Sequence, residues 1–365
     1  MSHPSDQVLR ELVQIYSPTG QETEAVEKFG IEMLQLGAND FYVDTAGNGI
    51  ATFLGGKPDV LLCGHIDTVP GRLPIREENG IISGRGATDA KASLVSLMFG
   101  ARLAVDRGFA GKIRVIAAVG EEGPGKGIIE VASSQPKSDF AVFGEPSGLT
   151  GITVGYRGRI LLDLEFSTEQ YHASAPWMGE NAIDLAIRSW DALRRSYGSN
   201  RDFSSVSAAI TSISGGEADN MTPSNARITI DIRYPPSKRH EDVLSGVLEV
   251  SSEGLPVLPV SRVRSYVFPY VAGTKTSLAR AFKSSIAKAT GRDASLLFKS
   301  GSGDMNILGS SWRIPCITYG PGNPQLSHTV NEEVRLEDVW TSAEIVADAL
   351  LQLQLENKPG NMEAE

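Results

Sequence analysis

The first half of the chain alternates short apolar segments of strand length with segments that have helical periodicity. Strand-like segments at 59–63, 113–119 and 139–143 enclose helix-like segments at 89–107 and 126–133. Such alternation is typical of an α/β sheet that is covered by helices. We therefore predict an α/β fold in which a mixed sheet is flanked by helices.

Three of these predicted strands are each followed by acidic residues or by a histidine. The residues are His65 and Asp67 after the first strand, Glu121 and Glu122 after the second, and Glu145 after the third. In extended chain alternate residues share a face, so His65 and Asp67 point the same way. Where such sheets are parallel, ligands bind beyond the carboxyl ends of the strands. We expect a functional site at this edge.

Two further residues extend this set: Asp89 follows the glycine-rich segment 84–88, and His328 follows a loop rich in glycine and proline. Together with His65, Glu122 and Glu145 they would offer two imidazoles and three carboxylates. That set suits two zinc ions that share a bridging carboxylate, because a dication compensates for clustered negative charge.

Two acids remain for other roles in this site. Asp67 could orient His65, and Glu121 could act as general base. Taken singly, a histidine after a strand is more often structural, and a Glu-Glu pair is usually solvated. Five such features at strand ends in one domain favour the functional interpretation.

The pattern of strand-like and helix-like segments changes near residue 158, and the earlier pattern returns after residue 266. The intervening segments are strand-like at 160–166, 206–213, 226–234 and 257–266, and helix-like at 181–197 and 241–252. We predict a discontinuous catalytic domain, 1–157 plus 267–365, with a smaller α+β domain inserted at 158–266. The inserted sheet is expected to have one exposed face.

Composition excludes several classes of protein. The formal net charge of -10 argues against general binding to nucleic acids or to anionic membranes. No apolar stretch has the length of a membrane span, and the N-terminus lacks the features of a secretory signal. Cys63 and Cys316 lie in apolar strand-like runs and are expected to be buried free thiols. We predict a cytoplasmic protein.

Other catalytic motifs are incomplete in the sequence or absent from it. The segment Gly120–Gly127 resembles a phosphate-binding loop, but it ends in glycine where serine or threonine should hold magnesium. Neither a His-Glu-x-x-His helix nor a Gly-x-Ser-x-Gly turn is present in the sequence.

The motifs together resemble those of the dizinc aminoacylase, carboxypeptidase and deacetylase superfamily. They are Gly64-His-Ile-Asp-Thr68, Gly84-Arg-Gly-Ala-Thr-Asp-Ala-Lys91, Gly120-Glu-Glu122, Gly144-Glu-Pro-Ser147 and Ser327-His328. They occur in the family's order and span nearly the whole chain. The resemblance implies a dizinc exopeptidase-like catalytic domain, an inserted lid and dimerisation domain, and a homodimer or higher homo-oligomer.

The resemblance also implies individual roles. Asp89 would bridge two Zn²⁺ ions, His65 and Glu145 would complete one site, and Glu122 and His328 the other. Glu121 would activate a metal-bridging water, with Asp67 as the partner of His65. In the lid, His172 would stabilise the oxyanion in the partner subunit's site, and Asn220 and Arg233 would bind substrate. Arg233 could instead form an ion pair on the strand surface. Cobalt or manganese can replace zinc in such sites.

The segment 145–159 and the short chain resemble the hydrolases of lysine and arginine biosynthesis. These release lysine or ornithine from the C-terminal glutamate of a small acidic amino-group carrier protein. Such a substrate would need a basic approach surface, for which the candidates are Arg157, Arg159, Arg188, Arg194, Arg195 and Arg201. Asp304 would either meet a substrate amino group or belong to an ordinary turn. The alternatives are an N-acetylornithine or N-acetyllysine deacetylase, a dipeptidase or carboxypeptidase, and a non-catalytic metal-bound scaffold.

Overall fold

The computed structural model describes residues 3–53, 55–198 and 200–356. The helices in these residues are α1 Pro4–Gln14, α2 Thr23–Gln35, α3 Lys91–Asp106, α4 Lys126–Ser134, α5 Ala182–Tyr197, α6 His240–Ser252, α7 Ser277–Thr290, α8 Asp304–Trp312 and α9 Leu336–Glu356. The strands are β1 Asp40–Val43, β2 Gly49–Phe53, β3 Asp59–His65, β4 Arg76–Glu78, β5 Ile81–Ser83, β6 Lys112–Ala118, β7 Phe140–Gly144, β8 Gly151–Tyr156, β9 Gly158–Ser167, β10 Ser207–Gly215, β11 Asn225–Tyr234, β12 Val260–Val267, β13 Tyr270–Val271, β14 Ser295–Lys299, β15 Cys316–Thr318 and β16 Glu333–Arg335.

The largest sheet has the strand order β1-β2-β6-β3-β7-β15-β8-β13, and β14 also pairs with β8. Its centre is parallel, because β3 runs parallel to β6 and β7, and β15 runs parallel to β7. Further out, β2 is antiparallel to β6 and β8 is antiparallel to β15. Every residue of β3 and β7 is buried, as expected for strands covered on both faces. The predicted α/β class with a mixed sheet is confirmed.

The three parallel strands β6, β3 and β7 end at the same height along the sheet. Gly64 of β3 is in register with Ala117 of β6 and with Gly144 of β7. Because these strands are parallel, the residues that follow them lie along the same edge of the sheet. The predicted convergence of strand ends is therefore present.

Two glycines allow α3 to lie close to this edge. A Cβ atom at Gly64 would lie 3.2 Å from Cα of Leu94, and one at Gly144 would lie 2.9 Å from Cδ1 of Leu97. Both leucines are completely buried. Since Asp89 lies two residues before the start of α3, this packing brings Asp89 to the ends of β3 and β7. The helix itself begins at Lys91, two residues after the predicted start.

Chain contacts divide the protein into two units. The first consists of Met1–Val154, Ala272–Leu297 and Gly303–Glu365, and the second of Gly155–Val271 with Phe298–Ser302. The predicted insertion, 158–266, has narrower bounds and lacks the segment 298–302. A role for the second unit in closing the site or in dimerisation stays a prediction.

The second unit contains an antiparallel sheet with the strand order β10-β11-β9-β12. One face of this sheet packs on α5 and α6 through a core that includes Ile160, Leu162, Ile228 and Ile230. The alternate residues of the strands point to the opposite face, which carries polar and charged side chains.

Both cysteines lie in strands of the large sheet. Cys63 and Cys316 are buried thiols that form no disulfide, as predicted. Among the described residues, no helix combines the length and the apolar character needed to cross a membrane.

Candidate active site

His65 is the last residue of β3, and its side chain is almost completely buried. Its Nδ1 lies 2.9 Å from the main-chain oxygen of Asp67 and 3.6 Å from Oδ1 of the same residue. A carbonyl oxygen only accepts hydrogen bonds, so Nδ1 carries a proton, and Nε2 is the nitrogen that could bind a cation. Asp67 thus orients His65, but its carbonyl makes the shorter contact.

The carboxylate of Asp67 has a second task, which the sequence did not indicate. Its Oδ1 accepts a hydrogen bond from the main-chain N–H of Glu121, and its Oδ2 accepts one from that of Glu122, both at 3.1 Å. Thr19 Oγ1 also donates to Oδ2, at 2.7 Å. Burial acts to raise the pKa of Asp67, but interactions with His65 and Thr19 outweigh it and lower the pKa. Asp67 therefore stays charged and ties the Glu121-Glu122 turn to the end of β3.

Asp89 lies between the two histidines of the site. Its Oδ1 is 3.2 Å from Nε2 of His65, and its Oδ2 is 3.3 Å from Nε2 of His328. His65 Nε2 also lies 3.3 Å from Glu145 Oε1, while His328 Nε2 lies 2.8 Å from Glu122 Oε1. The five residues predicted as metal ligands are brought together. Each oxygen of Asp89 faces a different histidine, and each of these histidines also contacts a different glutamate.

Glu121 belongs to the same cluster. Ligand atoms within 4.8 Å of one another are offered by His65, Glu121 and Glu145, and by His65, Asp89 and Glu122. Glu121 is therefore close enough to act either as a ligand or as a base on a group held by the others.

The charges of the cluster explain why it would hold a cation. Burial acts to lower the pKa of His65, but the charge of Glu145 and contacts with Asp67 and Asp89 hold it well above its usual range. Hydrogen bonds with carboxylates raise the pKa of His328 to about 10. Without a cation, protons on both imidazoles offset the negative charge.

A divalent cation would replace those protons. Imidazole nitrogen and carboxylate oxygen are donors that zinc accepts, and binding requires neutral imidazole. Burial and the charge of Glu145 raise the pKa of Glu121 well above its usual range, so this carboxyl can also hold a proton. The donor set and its excess of negative charge fit a metal centre.

A largely buried ion pair joins the two segments that supply Asp89 and His328. Arg85 pairs with Oε1 of Glu332, and Oε2 of Glu332 accepts a hydrogen bond of 2.8 Å from the main-chain N–H of Gly86. The main-chain oxygen of Glu332 accepts a bond of 3.1 Å from the N–H of residue 84. This contact, which we call the Arg85–Glu332 clasp, holds together the segments that carry Asp89 and His328.

We expect Glu332→Gln to weaken metal binding about tenfold, the effect typical of groups that position metal ligands. The amide keeps the shape of the side chain but leaves the Arg85 guanidinium without its carboxylate. Competition with a chromophoric chelator would measure the affinity. Glu333→Gln is the matched control, because Glu333 is exposed and meets Thr88 through its main chain. Equal affinity in the two variants would contradict a positioning role for the clasp.

Asp304 is the first residue of α8 and is buried. Burial raises its pKa to about 7, with the charges of His65 and Asp67 acting in opposite directions. A Cβ atom at the preceding Gly303 would lie 3.3 Å from Oε1 of Glu121. The glycine-rich segment 300–303 therefore leads to a buried helix start beside the cluster. Contact between Asp304 and a substrate amino group stays a prediction.

Lys91 is a buried charged residue that the sequence did not single out. Its Nζ donates hydrogen bonds to the main-chain oxygens of Leu12, at 2.8 Å, and Ile15, at 2.7 Å. Burial lowers its pKa to about 7. Lys91 thereby joins the start of α3, two residues after Asp89, to the end of α1.

In the second unit, His172 and Asn220 lie on two neighbouring segments. The main-chain oxygen of Asn220 accepts a 2.9 Å bond from the N–H of residue 173, and His172 forms a β-bridge with Met221. The imidazole of His172 is exposed, and its Nδ1 accepts a 3.1 Å bond from the N–H of Ser174. Two of the predicted lid residues are thus brought together.

Arg233 on β11 forms the ion pair that was the alternative interpretation of this residue. Its Nε lies 2.5 Å from Oδ1 of Asp231, and Arg159 Nε lies 2.7 Å from Oδ2 of the same carboxylate. Nη1 of Arg233 is 3.3 Å from Oγ of Ser302. Neither observation tests whether Arg233 binds substrate.

The structure corrects the predicted basic approach surface. Arg157 is buried and donates to the main-chain oxygen of Ser205, at 2.8 Å, and to Oγ of Ser207, at 2.6 Å. Its assignment to an exposed surface was wrong, because its guanidinium binds the protein's own main chain. On α5, Arg188 and Arg194 are already bonded to other groups of the second unit.

Most of the chain is similar to known proteins. The model of peptidase family M20/M25/M40 matches residues 61–352. A protein of Thermococcus kodakarensis, provisionally named a LysW-lysine/LysW-ornithine hydrolase, is 34% identical over 346 residues, which cover 95% of this chain and 91% of the relative.

Two more distant proteins cover almost the whole chain. A LysW-lysine/LysW-ornithine hydrolase of Sulfurisphaera tokodaii is 30% identical over 353 residues, covering 96% of each chain. A solved structure from Bacillus subtilis is described as a dinuclear metal-binding peptidase from the M20 family. It superposes with a TM-score of 0.73 at 16% identity and covers 96% of this chain and 98% of its own. This last likeness concerns the fold alone.

Proposed function

Since the chain belongs to peptidase family M20/M25/M40, we propose that it releases lysine, ornithine or both from the C-terminal glutamate of an amino-group carrier protein. The cleaved bond is a linear amide, and the reaction serves lysine or arginine biosynthesis. Relatives named for this reaction align with nearly the whole chain, which supports the substrate. The observation that carries the chemistry is that the two oxygens of Asp89 face two different histidines.

The proposed cofactor is a pair of Zn²⁺ ions per subunit, for which Co²⁺ or Mn²⁺ could substitute. His65 and Glu145 would hold one ion, Glu122 and His328 the other, and Asp89 both. The metals would supply Lewis-acid polarisation of the scissile carbonyl and a more acidic water.

The residues around the metals would move protons and position the reacting groups. Glu121 would take a proton from the attacking water and return it to the nitrogen of the departing amino acid. Asp67 would hold the Glu121-Glu122 turn and the ring of His65. A raised pKa for Glu121, caused by burial and by Glu145, suits a group that must carry a proton between these steps.

We propose that residues of the second unit take part in substrate recognition. His172 would donate to the oxyanion of the partner subunit's site in a homodimer, and the neighbouring Asn220 would bind the substrate main chain. Arg233 would bind a carboxylate with the guanidinium edge not used by Asp231. Asp304 would accept a bond from the substrate amino group. Because the proposed carrier reaction is biosynthetic, we also propose that the enzyme acts in the cytoplasm.

The substrate is tested by measuring release of free lysine and ornithine by the zinc-loaded protein. We expect the aminoacylated carrier to be cleaved with a kcat/KM at least about a hundredfold above that of N-acetyl-lysine or N-acetyl-ornithine. The reason is that contacts with the carrier contribute binding energy that stabilises the transition state. Treatment with EDTA should stop release, and added zinc should restore it.

The other outcomes separate the alternatives. A preference for the acetyl compounds would make the protein a small-molecule deacetylase. Release from dipeptides alone would indicate a peptidase. If metal is bound and none of these compounds is cleaved, the protein is a metal-bound scaffold and the proposed function is wrong.

A further inference from the structure

One face of the sheet in the second unit is rich in arginine. Four residues on this face form a row across the four strands. Ser212 of β10 pairs with Thr229 of β11, Thr229 pairs with Asp163 of β9, and Asp163 pairs with Arg262 of β12. The next row on the same face carries Arg227. These side chains point away from the face that packs on α5 and α6, because alternate residues of a strand point to opposite faces.

The polar side chains surround a concavity of about 420 Å³. Its lining consists of Arg227, Arg262, Arg264, Asp163 and three hydroxyl residues. Three guanidinium groups against two carboxylates, those of Asp163 and of Glu165 on the same face, leave a local charge of about +1 in a chain whose formal net charge is -10. We call this surface the arginine face.

The carboxylate of Asp163 in the arginine face is largely occupied. Asp163 is buried, and its Oδ1 accepts a hydrogen bond of 2.8 Å from Oγ1 of Thr229. Its Oδ2 lies 3.9 Å from Nε of Arg264, too far for a hydrogen bond. Arg264 is therefore only loosely paired.

The other two arginines differ in their pairing. Arg227 forms an ion pair of 2.5 Å with Glu165, and both side chains are about half exposed. Arg262 is exposed, and within the described part of the chain it has neither an ion pair nor a hydrogen bond to its side chain. Guanidinium groups with free donors bind carboxylates in a bidentate manner.

We propose that the arginine face is the docking surface for the acidic polypeptide that carries the amide to be cleaved, with Arg262 and Arg264 as its main contacts. This inference rests on the proposed function and deepens it. An acidic polypeptide is repelled by the net charge of the enzyme, so productive approach requires a local basic surface of this kind. Of the surface predicted from the sequence, Arg157 is buried, and Arg188 and Arg194 of α5 are bonded to other groups of the second unit.

The test is the double charge reversal Arg262→Glu/Arg264→Glu in the full-length, zinc-loaded enzyme. We expect KM for the aminoacylated carrier protein to rise about tenfold, the change that loss of a few exposed ion pairs produces. We expect kcat to stay within about twofold, because neither arginine contacts the reacting atoms. The KM of a short N-acylated γ-glutamyl-lysine peptide should be unchanged.

Arg194→Glu/Arg195→Glu provides the matched control. It makes the same change of charge on α5, which packs on the opposite face of the same sheet. Its KM for the carrier should remain within about twofold of wild type, since a general electrostatic effect of this size is screened at physiological salt. Equal increases in KM for the two double variants would overturn the assignment to the arginine face.

Binding of the carrier without its amino acid separates this inference from the proposed reaction. Fluorescence anisotropy should detect binding to wild type and a loss of about tenfold in Arg262→Glu/Arg264→Glu, whether or not the loaded carrier is cleaved. No binding to wild type would overturn the inference. A variant that changes oligomeric state, measured by light scattering, while keeping carrier affinity would also overturn it and would identify the face as a contact between copies of this chain.

Discussion

Glu121→Gln should lower kcat by about a thousandfold while the protein keeps its metal. The amide has nearly the shape of the carboxyl but cannot take the proton of the attacking water. The substitution also removes a negative charge from the cluster, which could weaken metal binding. The prediction therefore requires that the variant be shown to retain its metal. Turnover of the aminoacylated carrier and the metal content of the same preparation, determined by elemental analysis, would be measured together.

The adjacent glutamate provides the comparison. Glu122 lies 2.8 Å from His328 Nε2, so Glu122→Gln should reduce the amount of bound metal. Because Glu121 also lies within ligand distance of His65 and Glu145, the two substitutions decide between its possible roles. Loss of metal in Glu121→Gln would make Glu121 a ligand, and turnover above about a tenth of wild type with metal bound would exclude it as the base.

The sequence predicts those parts of the site that depend on local periodicity. Apolar runs identify β3, β6 and β7, and the parallel register then brings the residues after them to one edge. His65 and the adjacent acids follow from this rule alone. The position of Asp89 follows less directly, since it depends on how closely α3 packs on Gly64 and Gly144.

Other features depend on contacts between distant segments, which periodicity does not describe. Arg85 and Glu332 are separated by 247 residues, and nothing near either one indicates that they pair. Similarly, Phe298–Ser302 lies within the segment 267–365 that was predicted to belong to the catalytic domain, but it belongs to the second unit. Arginine is usually exposed, so the sequence suggests a surface position for Arg157. Only the folded chain shows that its guanidinium group donates to the main-chain oxygens of Asp202 and Ser205.

Asp89→Asn should remove most of the bound metal and all measurable turnover. Each carboxylate oxygen of Asp89 faces a different histidine, at 3.2 Å and 3.3 Å. Asparagine offers only one oxygen, so its amide nitrogen would have to face either His65 or His328. An amide nitrogen is not a zinc ligand of the kind found in proteins, and one of the two positions would lose its shared ligand.

The loss of metal can be detected without turnover. Zinc present at about a hundred times its dissociation constant stabilises the folded protein by about 2.7 kcal/mol, so wild type should melt at a higher temperature when zinc is added. We expect Asp89→Asn to lose this increase and Asp304→Asn to keep it. The control removes an equally buried carboxyl that lies beside the cluster but outside its ligand sets. If Asp89→Asn still binds two equivalents of zinc and gains the same stability, Asp89 does not bridge the metals.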